Sequence, residues 1–201
     1  MTGKTHITLG IAAALLLTHP AAPSGVLAAA VGGALGGRIV DIDSTGRTPS
    51  DTGRRGVRTA LPEVLLLGAL LAADGYLKGG LCQSLLDRPG PALLGGLAGL
   101  LLLLCLGFRS EHRTFTHSLL GMALFCAAVS LLLPPLALPF LLGYGSHLLA
   151  DLCNLRELQL FFPLRQRVSL GLCPYNQRAN RVLFWVTLGV DVAAATLLLI
   201  L

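Results

Sequence analysis

Residues 91–108, PALLGGLAGLLLLLCLGF, run for 18 positions without a charged or amide side chain. At about 1.5 Å of rise per residue, a helix of this length covers most of the roughly 30 Å of a hydrocarbon core. Lipid offers backbone N–H and C=O groups no partners, so only helices and closed barrels can span it. Helices fit this chain, because its apolar residues are mostly Leu, Ala, Gly and Val and only 5% of the whole is aromatic, too little for the girdles of a barrel. Of the 201 residues, 12% are charged, about half the share of a soluble domain. A water-soluble globule, a disordered chain and a disulfide-rich secreted scaffold are therefore excluded. The five cysteines (Cys82, Cys105, Cys126, Cys153 and Cys173) are odd in number and contain no CxxC pair, which reads as packing rather than a redox or zinc framework.

Further apolar segments occupy 7–18, 25–40, 63–77, 117–133, 135–150 and 182–201. The expectation is one all-α, polytopic helical membrane domain over 1–201, with about seven hydrophobic segments, five to seven of them spanning. Proline marks the divisions: Pro20 and Pro23 part the first two segments, Pro89 and Pro91 precede the fourth, and Pro134 and Pro135 make a tight hairpin of the fifth and sixth. Gly32, Gly33, Gly36 and Gly37 let the second segment approach its neighbours closely, either inside a bundle or as a re-entrant piece. Residues 155–181, of mixed polarity, read as an interfacial or cytoplasmic loop before the last span. A cleaved signal peptide, with Lys4 before the first apolar stretch and Ala21-Ala22 at the cut, is the alternative for the N-terminus.

Basic residues set the orientation, because Lys and Arg are retained in cytoplasmic loops. With the N-terminus cytoplasmic and all seven segments crossing, only Lys78 and Arg88 of the 15 basic residues fall outside. The inside loops then hold Lys4, Arg38, Arg47, Arg54, Arg55 and Arg58 in the first half of the chain. Arg109, Arg113, Arg156, Arg165, Arg167, Arg178 and Arg181 complete the inside set. The net charge of +5 is thus a topology signal and implies no nucleic acid. Arg54, Arg55 and Arg58 could meet lipid headgroups, although a solvated loop is the simpler account.

The same topology gathers groups that played no part in building it. His6 opens the first segment, Asp41 and Asp43 close the second, His112 and His117 precede or open the fifth, and His147 with Asp151 closes the sixth. All seven lie at the cytoplasmic end, and among the histidines only His19 lies opposite. His147 and Asp151 are four apart, one helical turn on one face. An extended step through Asp41-Ile42-Asp43 would send both carboxylates to one side. The five-residue gap between His112 and His117 breaks helical register, so Thr114-Phe115-Thr116 reads as a turn, with Thr116 as N-cap. Imidazole and carboxylate together suit one or two divalent ions, zinc first and Mn, Fe or Mg as alternatives. Such ions polarise a phosphoryl or acyl oxygen and activate water. Arg113 is the candidate catalytic group for stabilising anionic charge.

Each residue also has a plainer reading. His6 alone could be a structural hydrogen-bonding group, Asp41 or Asp43 a helix cap or an ion-pair partner of Arg38 or Arg47, and Arg113 an ordinary topology arginine. Ser118 and Ser146 lie in no GxSxG elbow and read as helix-packing hydroxyls. Asp74 and Asp191 sit in apolar surroundings without an evident partner. Ionisable groups at membrane depth are costly, and seven of them at one face favour function over chance.

In order and spacing these residues resemble the YdjM-like family of inner-membrane metal-dependent hydrolases. The matching blocks are THITLG around His6, VDID at 40–43, EHRTFTHS at 111–118, GYGSHLLAD at 143–151 and FFPL at 161–164. The resemblance implies a polytopic helical protein of the bacterial inner membrane whose metal site is built from His6, Asp41, Asp43, His112, His117, His147 and Asp151. Family members usually carry proline where Val40 stands, a departure that bears on the local turn rather than on a ligand.

The function expected is a membrane-bound hydrolase acting on a lipid or membrane-proximal phosphoester, with membrane lipid as its partner and no nucleic acid. The alternatives are an ion- or proton-coupled transporter and a non-catalytic membrane protein with a metal site. The orientation is directly testable. Alkaline phosphatase fused after Arg88 should be active, and fused after Arg58, Arg113 or Arg167 inactive; activity after Arg113 would invert the topology.

Overall fold

The fold is seen in a computed structural model that describes residues 2–45, 65, 68–76, 80–172 and 176–200. Among these residues the regular structure is helical, apart from an isolated antiparallel bridge between Leu158 and Val168. Helix α1 covers Gly3–Thr18 and α2 Pro23–Ile39, and a 3-10 helix at Val40–Thr45 continues α2. A helical stretch at 68–76 and the short α3, Leu81–Leu86, precede α4 at Gly90–Arg109. Then come α5 (Leu119–Leu132), α6 (Pro134–Leu152) and α7 (Gln177–Ile200). Arg47, Arg54, Arg55, Arg58, Lys78 and Cys173 lie outside the described residues.

The proline punctuation reappears as helix boundaries. Leu133 alone separates α5 from α6, and Pro sits in the first turn of α2, α4 and α6, where its missing N–H has no intrahelical acceptor to lose. The start of α5 corrects one expectation: its N-cap is Ser118, whose Oγ accepts from Gly121 N at 3.0 Å, while the Thr116 hydroxyl is engaged elsewhere. A second correction concerns Asp41 and Asp43, which lie in the 3-10 helix rather than in an extended step. Val40 supports that continuation: it keeps the backbone N–H a proline would lack and is completely buried. Asp74 acquires a partner, the N–H of Cys82 at 3.0 Å near the start of α3.

Helices α1, α2 and α6 pack against one another through bare backbone. A Cβ on Gly10 would stand 2.3 Å from the carbonyl oxygen of Gly33, and one on Gly143 would stand 2.2 Å from the same oxygen. Farther along α2, a Cβ on Gly36 would meet the Phe140 carbonyl oxygen at 2.1 Å and one on Gly37 that of His6 at 2.4 Å. No larger residue fits at these positions. Helix α7 joins through α1 by hydrogen bonds between Thr8 and Thr187 at 2.6 Å and from Thr5 Oγ1 to Asn180 Oδ1 at 3.1 Å. Helix α5 packs on α6, and α4 packs on α5 and the 3-10 helix; Phe115, Phe125, Phe140 and Tyr144 form an aromatic core there.

Three described helices are long and apolar enough to cross a membrane: α2 with its 3-10 extension as far as Asp43, α4, and α7. Helices α4 and α7 turn large apolar side chains outward, among them Leu94, Leu101, Trp185 and Leu197, a surface that only lipid accommodates at this scale. Helix α1 is an integral wall of the bundle, packed on α2, α6 and α7. Gly33→Ala should cost about 1–3 kcal/mol in detergent unfolding, because its methyl must displace backbone. Gly145→Ala, with open space at its Cβ, should be neutral or stabilising by up to about 1 kcal/mol.

Candidate metal centre

One end of the bundle gathers all seven expected groups. His6 comes from the first turns of α1, Asp41 and Asp43 from the 3-10 helix, and His147 and Asp151 from the last turns of α6. His112 and His117 come from the loop at 110–118 between α4 and α5. His6, His117, His147 and Asp151 are at most 2% exposed, whereas the His112 side chain is 43% exposed. The glycine contacts place two of them. Closure of α2 on α1 at Gly37 presents the Gly37 carbonyl to His147 Nδ1 at 2.8 Å, and the rings of His6 and His147 stack at 3.7 Å.

Hydrogen bonds then fix the imidazole tautomers. A carbonyl can only accept, so His147 carries its proton on Nδ1 and turns the lone pair of Nε2 inward. His117 is held between carboxylates: Nδ1 lies 3.1 Å from Asp43 Oδ2, while Nε2 faces Asp41 Oδ1 at 3.7 Å and Asp151 Oδ2 at 3.6 Å. His147 Nε2 faces the same two oxygens at 3.7 and 3.9 Å. These separations are too long for hydrogen bonds. His117 Nε2, His147 Nε2 and His6 Nδ1 are buried and have no hydrogen-bond partner among the described residues. Imidazole lone pairs aimed at carboxylates repel, and the arrangement needs a cation at its middle.

The dimensions suit a metal ion. Ligands about 2.0–2.2 Å from a tetrahedral ion stand roughly 3.3–3.6 Å apart, slightly closer than the 3.6–3.9 Å found among these four groups. His6 adds a nitrogen 3.6 Å from Asp151 Oδ1, on the other side of that carboxylate. Two sets of candidate ligands result, Asp41, Asp43, His112 and His117 in one and His6, His147 and Asp151 in the other, joined through the inward faces of His117 and His147. The mixture of imidazole and carboxylate is borderline in softness and suits zinc or a neighbouring transition metal.

Asp43 differs from Asp41 in being saturated by donors. It accepts from the Arg113 backbone N–H at 3.0 Å and the Thr116 hydroxyl at 2.8 Å, and it pairs with His112 Nδ1 at 2.8 Å as well as with His117. A carboxylate on the outer nitrogen of a histidine orients the inner one and raises its basicity. Arg113, at φ 67, adopts the left-handed region that disfavours side chains other than glycine. That conformation lets its N–H reach Asp43 while its guanidinium Nη2 donates to Asp151 at 3.0 Å and its carbonyl accepts from Gln159 N at 2.9 Å.

Thr116, Tyr144, Gln159 and the Gly37 carbonyl also belong to the centre, and sequence reasoning did not place them there. The Tyr144 hydroxyl donates to the Thr116 carbonyl from a fully buried position. Its signal was available in the spacing, since Tyr144 precedes His147 by three on the same helix face. The Ser118 and Ser146 hydroxyls donate to backbone carbonyls of Phe115 and Gly143, and Ser118 also caps α5.

The fold and site define an integral membrane helical protein with a buried His/Asp cluster able to hold a metal ion. The chain belongs to the YdjM inner membrane protein family, whose sequence profile matches residues 1–201. It is 29% identical over 174 residues to the uncharacterized protein YvsG of Bacillus subtilis (strain 168), covering 86% of this chain and 79% of that one. No solved structure matches it.

Without an ion, a proton takes the central position. Burial by itself lowers the basicity of His117, but Asp41 and Asp43 outweigh it, and the imidazole is pushed up from 6.5 to about 9. A raised folded pKa stabilises below the unfolded value and loses that contribution as pH climbs through the folded one. Chelator-treated protein should therefore lose thermal stability between about pH 6.5 and 9. Asp43→Asn should flatten the trend. Metal-loaded protein should show the opposite slope, because ion and proton compete for the same nitrogen.

Proposed function

We propose that this chain is a membrane-bound metal-dependent hydrolase whose centre opens at the cytoplasmic face and acts on a lipid or membrane-proximal phosphoester. The observation carrying this reading is the pair of buried, unbonded imidazole nitrogens, His117 Nε2 and His147 Nε2, aimed at the same two carboxylates. In this reading Asp41, His117, His147 and Asp151 hold one divalent ion, zinc first, with His6 beside Asp151. Asp43 orients His117, and His112 holds the exposed edge, where a second ion or the substrate is met. A divalent ion in this position supplies Lewis acidity for a phosphoryl oxygen and lowers the pKa of water.

Arg113 then has two tasks. Its backbone holds Asp43, and its guanidinium limits the negative charge of Asp151, so the carboxylate stays ionised and fixed without a water shell. Its Nε is buried and has no hydrogen-bond partner among the described residues, a donor that an anionic group entering the site would use. The topology behind this reading is the one proposed from the basic residues: N-terminus inside, and five to seven of the hydrophobic segments spanning.

The test is metal content and turnover of protein purified in mild detergent. We expect near-stoichiometric divalent metal that falls at least tenfold in His117→Ala and Asp151→Ala, together with metal-dependent release of phosphate or headgroup from a lipid extract. Arg113→Lys should retain metal and lose about 10²–10³-fold in rate, the size of losing one preorganised donor. Absence of metal from wild-type protein, with metal content unchanged in the variants, would overturn the reading. Cation flux into proteoliposomes without hydrolysis would replace it with the transporter.

A further inference from the structure

The loop at 155–172 combines two properties that water does not reconcile. It exposes five large apolar side chains, Leu155, Phe161, Leu164, Leu170 and Leu172, each 47% or more accessible. The same stretch carries Arg156, Arg165 and Arg167, all exposed, against a single acid, Glu157. Its inner side is well packed: Leu158 is fully buried, and Phe162 meets Phe115 edge-on at 5.7 Å. The outward leucines are therefore not the residue of a poorly formed core.

The backbone places this surface at the level of the helix ends. Leu160 O accepts from Leu119 N at the start of α5 at 3.0 Å, and Leu170 N donates to Leu152 O at the end of α6 at 2.7 Å. The loop thus lies across the ends of two bundle helices, α5 and α6, instead of projecting from them. At the edge of a bilayer's hydrocarbon the surroundings are acyl-chain ends, glycerol esters and phosphates, an environment that takes apolar side chains and arginines together.

We propose that residues 155–172 form an interfacial anchor seated in the headgroup layer of the protein's own bilayer. Phe161 and Leu164 enter the acyl boundary, and Arg165 and Arg167 bind the phosphates of anionic lipids. The anchor is bolted to the metal centre, because the Arg156 carbonyl accepts from Arg113 Nη1 and Gln159 N donates to the Arg113 carbonyl, while Arg113 holds Asp151. Where the hydrolase reading stands, this clamp names the substrate class as an anionic phospholipid drawn sideways from the same leaflet. The anchor itself does not depend on hydrolysis.

The test uses full-length protein reconstituted in vesicles. Because the chain has a single tryptophan, Trp185, the substitutions Trp185→Phe and Phe161→Trp together leave one reporter on the loop; Leu164→Trp with Trp185→Phe provides a second. We expect lipids brominated at shallow acyl positions to quench the reporter and aqueous acrylamide to reach it poorly. Brominated phosphatidylglycerol should compete at least about fivefold better than brominated phosphatidylcholine, the factor that one surface arginine contributes. Adding Arg165→Gln and Arg167→Gln should bring that ratio toward one. Both reporters quenched by acrylamide and indifferent to brominated lipid overturn the anchor, and equal quenching by the two lipids overturns the role of the arginines. Neither readout involves metal or turnover, so failure of the anchor and failure of the hydrolase reading are separable.

Discussion

Backbone contact among α1, α2 and α6 sets the positions of everything at the metal centre. Lipid-facing helices gain little from burying leucine against leucine, because the acyl chains are as apolar as the side chains. Close approach must supply the attraction, and it does so here where Gly10, Gly33 and Gly143 meet without side chains between them. The same approach, continued to Gly37, carries His6 and His147 into stacking distance and turns a backbone carbonyl toward His147. A methyl group at one of these glycines would separate the ligands as well as the helices.

The centre is costly by itself. Carboxylates and imidazoles are withdrawn from water with their inner lone pairs opposed, a state that persists only with a cation between them. His117 stands between the two carboxylates: its outer nitrogen is tied to Asp43, and its inner one faces Asp41 and Asp151, where it could accept a proton or an ion. Arg113 stabilises the same cluster from a backbone conformation that is itself unfavourable, which is the pattern of strain concentrated at a functional site. The loop that grips Arg113 also carries the apolar surface facing away from the bundle, so the His/Asp cluster and that surface share one support.

Much of this was legible in the sequence. The apolar runs and prolines marked α1, α2, α4, α5, α6 and α7 to within about five residues, because each boundary is a local event in which an N–H is lost or a cap gained, whereas the short α3 lay in no apolar run. The cluster was legible too, since polar groups are scarce in such a chain, and the seven candidate groups come together at one end of the bundle. Local geometry was less so. The VDID step reads equally as extended or helical, and the continuation of α2 made it a 3-10 helix that splits its carboxylates across the His117 ring. Thr116 has the residue type of a cap, yet its hydroxyl donates to Asp43, and Ser118 caps α5 instead. No pattern in the sequence assigned Gln159 or the Gly37 carbonyl, because each acts through the backbone, and their partners lie 46 and 110 positions away.

By itself the sequence determined that this chain is helical and membrane-embedded, and which residue types could bind a metal, because composition and hydrophobic length answer directly to the solvent. Tertiary structure alone decided which of those residues face one another and which support the others. Asp41 and Asp43 are two positions apart and chemically identical, yet one turns toward the inner imidazole nitrogens and the other is saturated by four donors. That difference arises from the direction in which α2 delivers the 3-10 helix against the 110–118 loop, and it exists only once the glycine-lined helices have closed.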